Sequence, residues 1–97
     1  MDCEKIKTLI TAIRKIIEGC APGILDETSK LEIQQLAANI NLFGENDRFI
    51  AEKVQELQLR TGEYHTLTKS KRQGEEAVSF LRREIFSLLE DIEAWKG

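Results

Sequence analysis

Along most of this chain, apolar residues return at alternating three- and four-residue steps, the spacing that lays one stripe along one side of an α-helix. The longest run reads Ile33, Leu36, Ile40, Phe43, then Asp47 as an interruption, then Ile50, Val54, Leu57, Thr61 and Tyr64. A stripe of that kind must be buried against other helices, and it predicts a long middle helix over about residues 26–68. A first helix over about 2–18 carries Ile6, Leu9, Ile10, Ile13, Ile16 and Ile17 on one face. Asp2 suits its N-cap, Glu4 complements its dipole, and Gly19 stands where a left-handed residue closes a helix ahead of Pro22 and Gly23. A third helix over about 74–95 carries Val78, Leu81, Ile85, Leu88, Ile92 and Trp95, widened by Phe80, Phe86 and Leu89. Asp26 and the pair Ser29 and Glu32 offer caps for the middle helix. The polar stretch from Thr68 to Glu76, with Ser70 and Gln73 as a further capping pair, predicts a turn.

At ~1.5 Å per residue the middle helix would be roughly 60 Å long, the first roughly 25 Å and the third roughly 35 Å. Short connections favour antiparallel neighbours, which lays the first helix on the early half of the middle one and the third on its late half. The expectation is one all-α domain over 1–97: an elongated antiparallel helical hairpin, or three-helix bundle, with one long central helix. A competing geometry continues the stripe through Leu67, Lys71, Gly74 and Val78 into a rod of roughly 100 Å that would have to dimerise. Lys71 and Gly74 at seam positions count against it. Gly44 and Gly62 weaken the middle helix by roughly 1 kcal/mol each but need not break it. Asp47 marks a place where the core opens to solvent or the short helices leave a gap, since an unpaired buried carboxylate is costly.

Composition narrows the functional classes. Fourteen Lys and Arg against 17 Asp and Glu, a net charge of -3, leave no electrostatic footprint for nucleic acid. Cys3 and Cys20 lie near opposite ends of one helix, about 25 Å apart, and cannot pair within it. The start MDCEKIK has no apolar run and no stretch is long enough to span a bilayer, so a reducing cytoplasmic location without membrane insertion is expected. His65 with the two cysteines makes no metal-ligand spacing. The neighbours Glu75 and Glu76, and Glu90 and Asp91, point in different directions on a helix. No glycine-rich phosphate loop is present, so no catalytic, cofactor-binding or metal-binding residue is assigned and no enzyme is expected. The segment from His65 to Ser70 superficially resembles a histidine phosphotransfer motif. However, the extra Thr68 rotates Lys69 by about 100° and Ser70 replaces the glycine, which leaves His65 an ordinary exposed helix histidine. Lys69, Lys71 and Arg72 read as a solvated basic turn, and Asn39, Asn41 and Asn46 set register only where they fall on a seam.

The run Asn46-Asp47-Arg48-Phe49-Ile50, continuing to Glu56-Leu57, and the later Gly74-Glu75-Glu76-Ala77-Val78 resemble the FlgN and FliT type of flagellar secretion chaperone. The resemblance covers roughly Leu31 to Leu81 and rests on pattern, with Phe80 where those families often place a tyrosine. It implies an acidic cytoplasmic protein that holds the C-terminal helical segment of an exported hook, filament-junction or cap subunit and keeps it from assembling early. The expected function is therefore a non-enzymatic helical binding protein whose partner is an amphipathic helix of an exported subunit. Its expected partner-binding groove is Ile50, Val54 and Leu57 with Phe80, Leu81, Ile85, Leu88 and Ile92. Two other readings stay open: a coiled-coil subunit that forms a homodimer through its third helix, and a small helical regulatory adaptor that masks another protein.

Overall fold

A computed structural model describes residues 2–20, 24–45, 47–69 and 75–95, without the side chains of Thr68, Lys69 and Glu75. Over these residues the chain is all-helical, with α1 (Cys3–Gly19), α2 (Glu27–Phe43), α3 (Arg48–Lys69) and α4 (Glu75–Ala94). The class matches the hydrophobic pattern, but the long central helix does not exist: it is two helices folded back on each other. Pro22, Gly23, Asn46, Ser70, Lys71, Arg72, Gln73 and Gly74 lie outside the described residues.

The break at Gly44 has a local cause. Gly44 ends α2, its N–H donating to the carbonyls of Ile40 at 2.9 Å and Asn41 at 3.2 Å. Glu45 then takes a left-handed conformation, φ 51°, which reverses the chain. Asp47 restarts the helix by accepting the Ile50 N–H on Oδ1 at 3.1 Å, so it is an N-cap and not a gap in a continuous stripe. The reversal is also close-packed, because a Cβ on Gly44 would stand 2.8 Å from Cγ2 of Ile50. Gly19, by contrast, remains the last residue of α1, and the extended Cys20 follows it as the C-cap. Asp2 caps α1 through the Lys5 N–H and Asp26 caps α2 through the Ser29 N–H, both at 3.2 Å.

Successive helices run antiparallel. The Asp2 N–H donates to the Phe43 carbonyl at 3.2 Å, which joins the start of α1 to the end of α2. Gln34 and Gln58 each donate a side-chain N–H to the other's backbone carbonyl, at 3.4 and 3.1 Å, and pin the register of α2 on α3. Lys53 meets Asp91 at 3.3 Å across α3 and α4, and Arg14 meets Glu93 at 3.6 Å where α4 returns to α1. The result is an up-and-down four-helix bundle of 41 × 21 × 17 Å, which excludes both the 60 Å spine and the 100 Å rod. Its interior is one continuous core, contributed by Ile10 and Ile13 from α1, Ile33 and Ile40 from α2, Leu57 from α3, and Ile85 and Leu89 from α4 among others.

Candidate functional site: a groove between α2 and α3

The structure buries seven of the eight residues expected to line a partner groove. Ile50, Val54, Leu57, Leu81, Ile85, Leu88 and Ile92 are all core, and only Phe80, 56 % exposed, faces solvent. Folding α3 back on α2 brings four apolar stripes together where three were expected, so the α3 and α4 stripes are covered by the chain itself. A charged replacement at Leu88 therefore reports on folding, whereas one at Leu81, which is buried in the core and also borders the open groove described next, acts on both.

The open apolar surface lies elsewhere. A groove of about 720 Å³ runs between α2 and α3 toward the end of the bundle that holds Leu25. Leu59, Leu67 and Leu81 supply its apolar wall, Gly62 lowers its floor, and Lys30 and Glu63 put opposite charges at its margin. The reciprocal Gln34 and Gln58 bonds close the two helices together beneath one end of it. Leu59 is 59 % exposed because it falls off the buried stripe of α3, on the same flank as Gly62. Sequence reasoning missed this pair: a lone off-stripe leucine beside a mid-helix glycine was the available signal, and it becomes a site only when α2 supplies the other wall.

His65 also lines the groove, and it is not an exposed histidine. It is buried, with Nδ1 2.8 Å from the Leu25 carbonyl. A carbonyl oxygen only accepts, so Nδ1 carries the proton and donates, and in the neutral ring Nε2 is left as the acceptor. The bond ties the connection after α1 to the last turns of α3, which gives His65 a structural role.

No family model, no curated protein and no solved structure matches the chain.

The site thus stands on its geometry. Among the described residues no group of three or more His, Cys, Asp or Glu converges to hold a metal ion, and no helix is long and apolar enough to cross a membrane. Cys3 and Cys20 are both free thiols. Arg60 is held by Glu63 at 3.0 Å and Glu56 at 3.8 Å; the hydrogen bond to Glu63, then its charge, push the guanidinium pKa further up. That cation is already neutralised and offers no anion site. At the opposite end of the bundle, the Trp95 indole N–H donates to Asp47 Oδ2 at 3.1 Å and its ring stacks on Phe49 with centroids 4.2 Å apart. This clasp fastens the end of α4 to the start of α3. The Trp95 hydrogen bond, together with the Ile50 N–H, holds the Asp47 carboxyl below its ordinary pKa.

Proposed function

We propose that this protein is a non-enzymatic helical binding protein whose α2–α3 groove receives an apolar helix of a protein partner. The observation that carries this reading is the shape of the groove: an open trough floored by Gly62, walled by Leu59, Leu67 and Leu81, and bordered by charges of both signs. An amphipathic helix lays two or three side chains of one face into such a trough, while its polar face stays in water. A glycine floor favours this occupant, because it lets a helix approach α3 more closely than any side chain there would allow. The groove falls almost wholly within residues 31–81, the span that resembles the flagellar export chaperones. On that basis the partner is the C-terminal helical segment of an exported flagellar subunit, which this protein masks in the cytoplasm before export.

The test is isothermal titration of the protein with the C-terminal helical segments of hook-junction and cap proteins from the same organism. Saturable binding at micromolar or tighter affinity is expected. Leu59→Glu should abolish it with helicity unchanged, whereas Phe80→Glu, on the α4 surface, should leave it intact. Absence of heat with every segment removes the chaperone reading. Binding indifferent to Leu59→Glu removes the groove.

A further inference from the structure

His65 is the single histidine of the chain, and among the side chains lining the α2–α3 groove it is the buried polar one, 7 % exposed. The other polar side chains there are freer. Lys30, Gln34, Gln58 and Glu63 are half-buried and Thr66 is exposed, so each keeps water within reach when something docks beside it. His65 has no such latitude, because its Nδ1 donates to the Leu25 carbonyl at 2.8 Å and so fixes both the ring and its tautomer. Nε2 is thereby left as an acceptor. It receives no hydrogen bond among the described residues, where the side-chain nitrogens and oxygens sealed from solvent without a partner are Nε of Arg60 and Nε of Arg82. Nε2 therefore keeps contact with water, and His65 lies on the lining of the groove.

We propose, building on the reading that this groove receives a helix, that His65 sets the chemistry of the partner: from within its apolar face the helix presents a neutral hydrogen-bond donor to Nε2. A Ser or Thr hydroxyl, or an Asn or Gln amide, is such a donor. Docking against Leu59, Leu67 and Leu81 drives water out from between the two apolar surfaces. An acceptor stripped of its water and offered no donor loses a hydrogen bond outright, and a ring held by the Leu25 carbonyl cannot turn away to find another. A uniformly apolar helix therefore binds less tightly than one with a single donor at that point, just as a polar site rejects a ligand lacking the matching group. The donor is uncharged for a separate reason. A desolvated Lys or Arg needs a carboxylate, and Glu63, the carboxylate among the lining residues, is already held by Arg60 at 3.0 Å. Lys30 at the margin repels a second cation.

The probes are helical peptides with a randomised apolar face, displayed on phage and selected on the full chain, with every peptide that still binds the Leu59→Glu variant discarded. The tight binders should carry one hydroxyl or amide within that face. A synthetic copy with that residue made apolar, valine for threonine or alanine for serine, should bind the wild type about tenfold more weakly by titration calorimetry. His65→Asn separates the two ring nitrogens, since its amide nitrogen stands as far from the backbone as Nδ1 and still donates to Leu25, while nothing replaces Nε2. In that variant the apolar copy should bind as tightly as its parent. Should His65→Asn lose helicity, the peptide pair on the wild type remains, and a long-range proton–nitrogen spectrum of the single histidine reads the tautomer directly: Nδ1 should carry the proton. A proton on Nε2 in the free protein overturns the proposal, and so does selection of uniformly apolar helices; both results leave the groove itself standing. If no selected helix depends on Leu59, the groove reading fails and this assignment fails with it.

Discussion

Replacing Ile85 by alanine is expected to cost about 3 kcal/mol, within the roughly 2–5 kcal/mol range for deleting a fully buried isoleucine. Ile85 has no exposed surface and sits on α4 within the common core, so the lost methyl and methylene groups leave a void that four packed helices fill only in part. A domain of this size is stabilised by about 5–15 kcal/mol in total, and each kcal/mol moves its melting temperature by about 4–8 °C. The midpoint should therefore fall by about 12–24 °C. Ile85→Val, which removes one methyl, should cost about 0.5–1.5 kcal/mol. Phe80→Ala, on the same helix but 56 % exposed, should change stability by about 0.5 kcal/mol or less. Urea unfolding followed by far-ultraviolet circular dichroism measures all three, with unchanged m-values confirming that the same cooperative unit unfolds. The reasoning is refuted if Phe80→Ala costs as much as Ile85→Ala, or if Ile85→Ala costs less than about 1 kcal/mol. Either result would mean that α4 turns a different face to the bundle, and that its stripe is the docking surface expected from the sequence.

Two further predictions concern the turn that divides the middle stripe. Gly44→Ala should destabilise by about 1–3 kcal/mol, because the new methyl overlaps Ile50 at the start of α3. Gly44 itself is right-handed, φ -76°, so this cost is one of space and not of backbone strain, and Gly44→Ser, whose Cβ falls at the same point, should cost about as much by chemical denaturation. Asp47 predicts an acid dependence. Its folded pKa lies below the ordinary value of about 3.9, so its contribution is complete above that value and is lost as pH falls through the folded pKa. Asp26, lowered by its side-chain and backbone hydrogen bonds to Ser29, acts in the same direction. Asp47→Asn should therefore flatten part of the decline in urea midpoint on acidification, and Trp95→Phe should flatten a smaller part of it in the wild type and none in the Asp47→Asn variant.

Several features were legible in the chain because their causes are local. Asp2 caps the first helix from a position three residues before the N–H it receives, and the isoleucines of α1 face inward because their spacing leaves them no other common side. The all-helical class follows from the same periodicity over α2, α3 and α4. That periodicity records which face of a helix is buried, but not whether the axis continues. Ile40 and Ile50 point into one core whether the chain between them runs straight or turns back, so the stripe passed through the reversal at Gly44 and Glu45 without a signature in spacing. Asp47, an anomaly on a continuous helix, becomes an ordinary cap once the turn exists. With the extra layer, Leu57, Ile85 and Leu88 have neighbours on every side, and the residues chosen for a groove became the core. The groove that Leu59 and Gly62 form with α2, and the bond from His65 to Leu25, both join segments distant in sequence. Hydrophobic spacing determined the helices and their inward faces, since it acts within a few turns of chain. Tertiary packing alone decided which apolar surface was left over, because that depends on how many helices share the core.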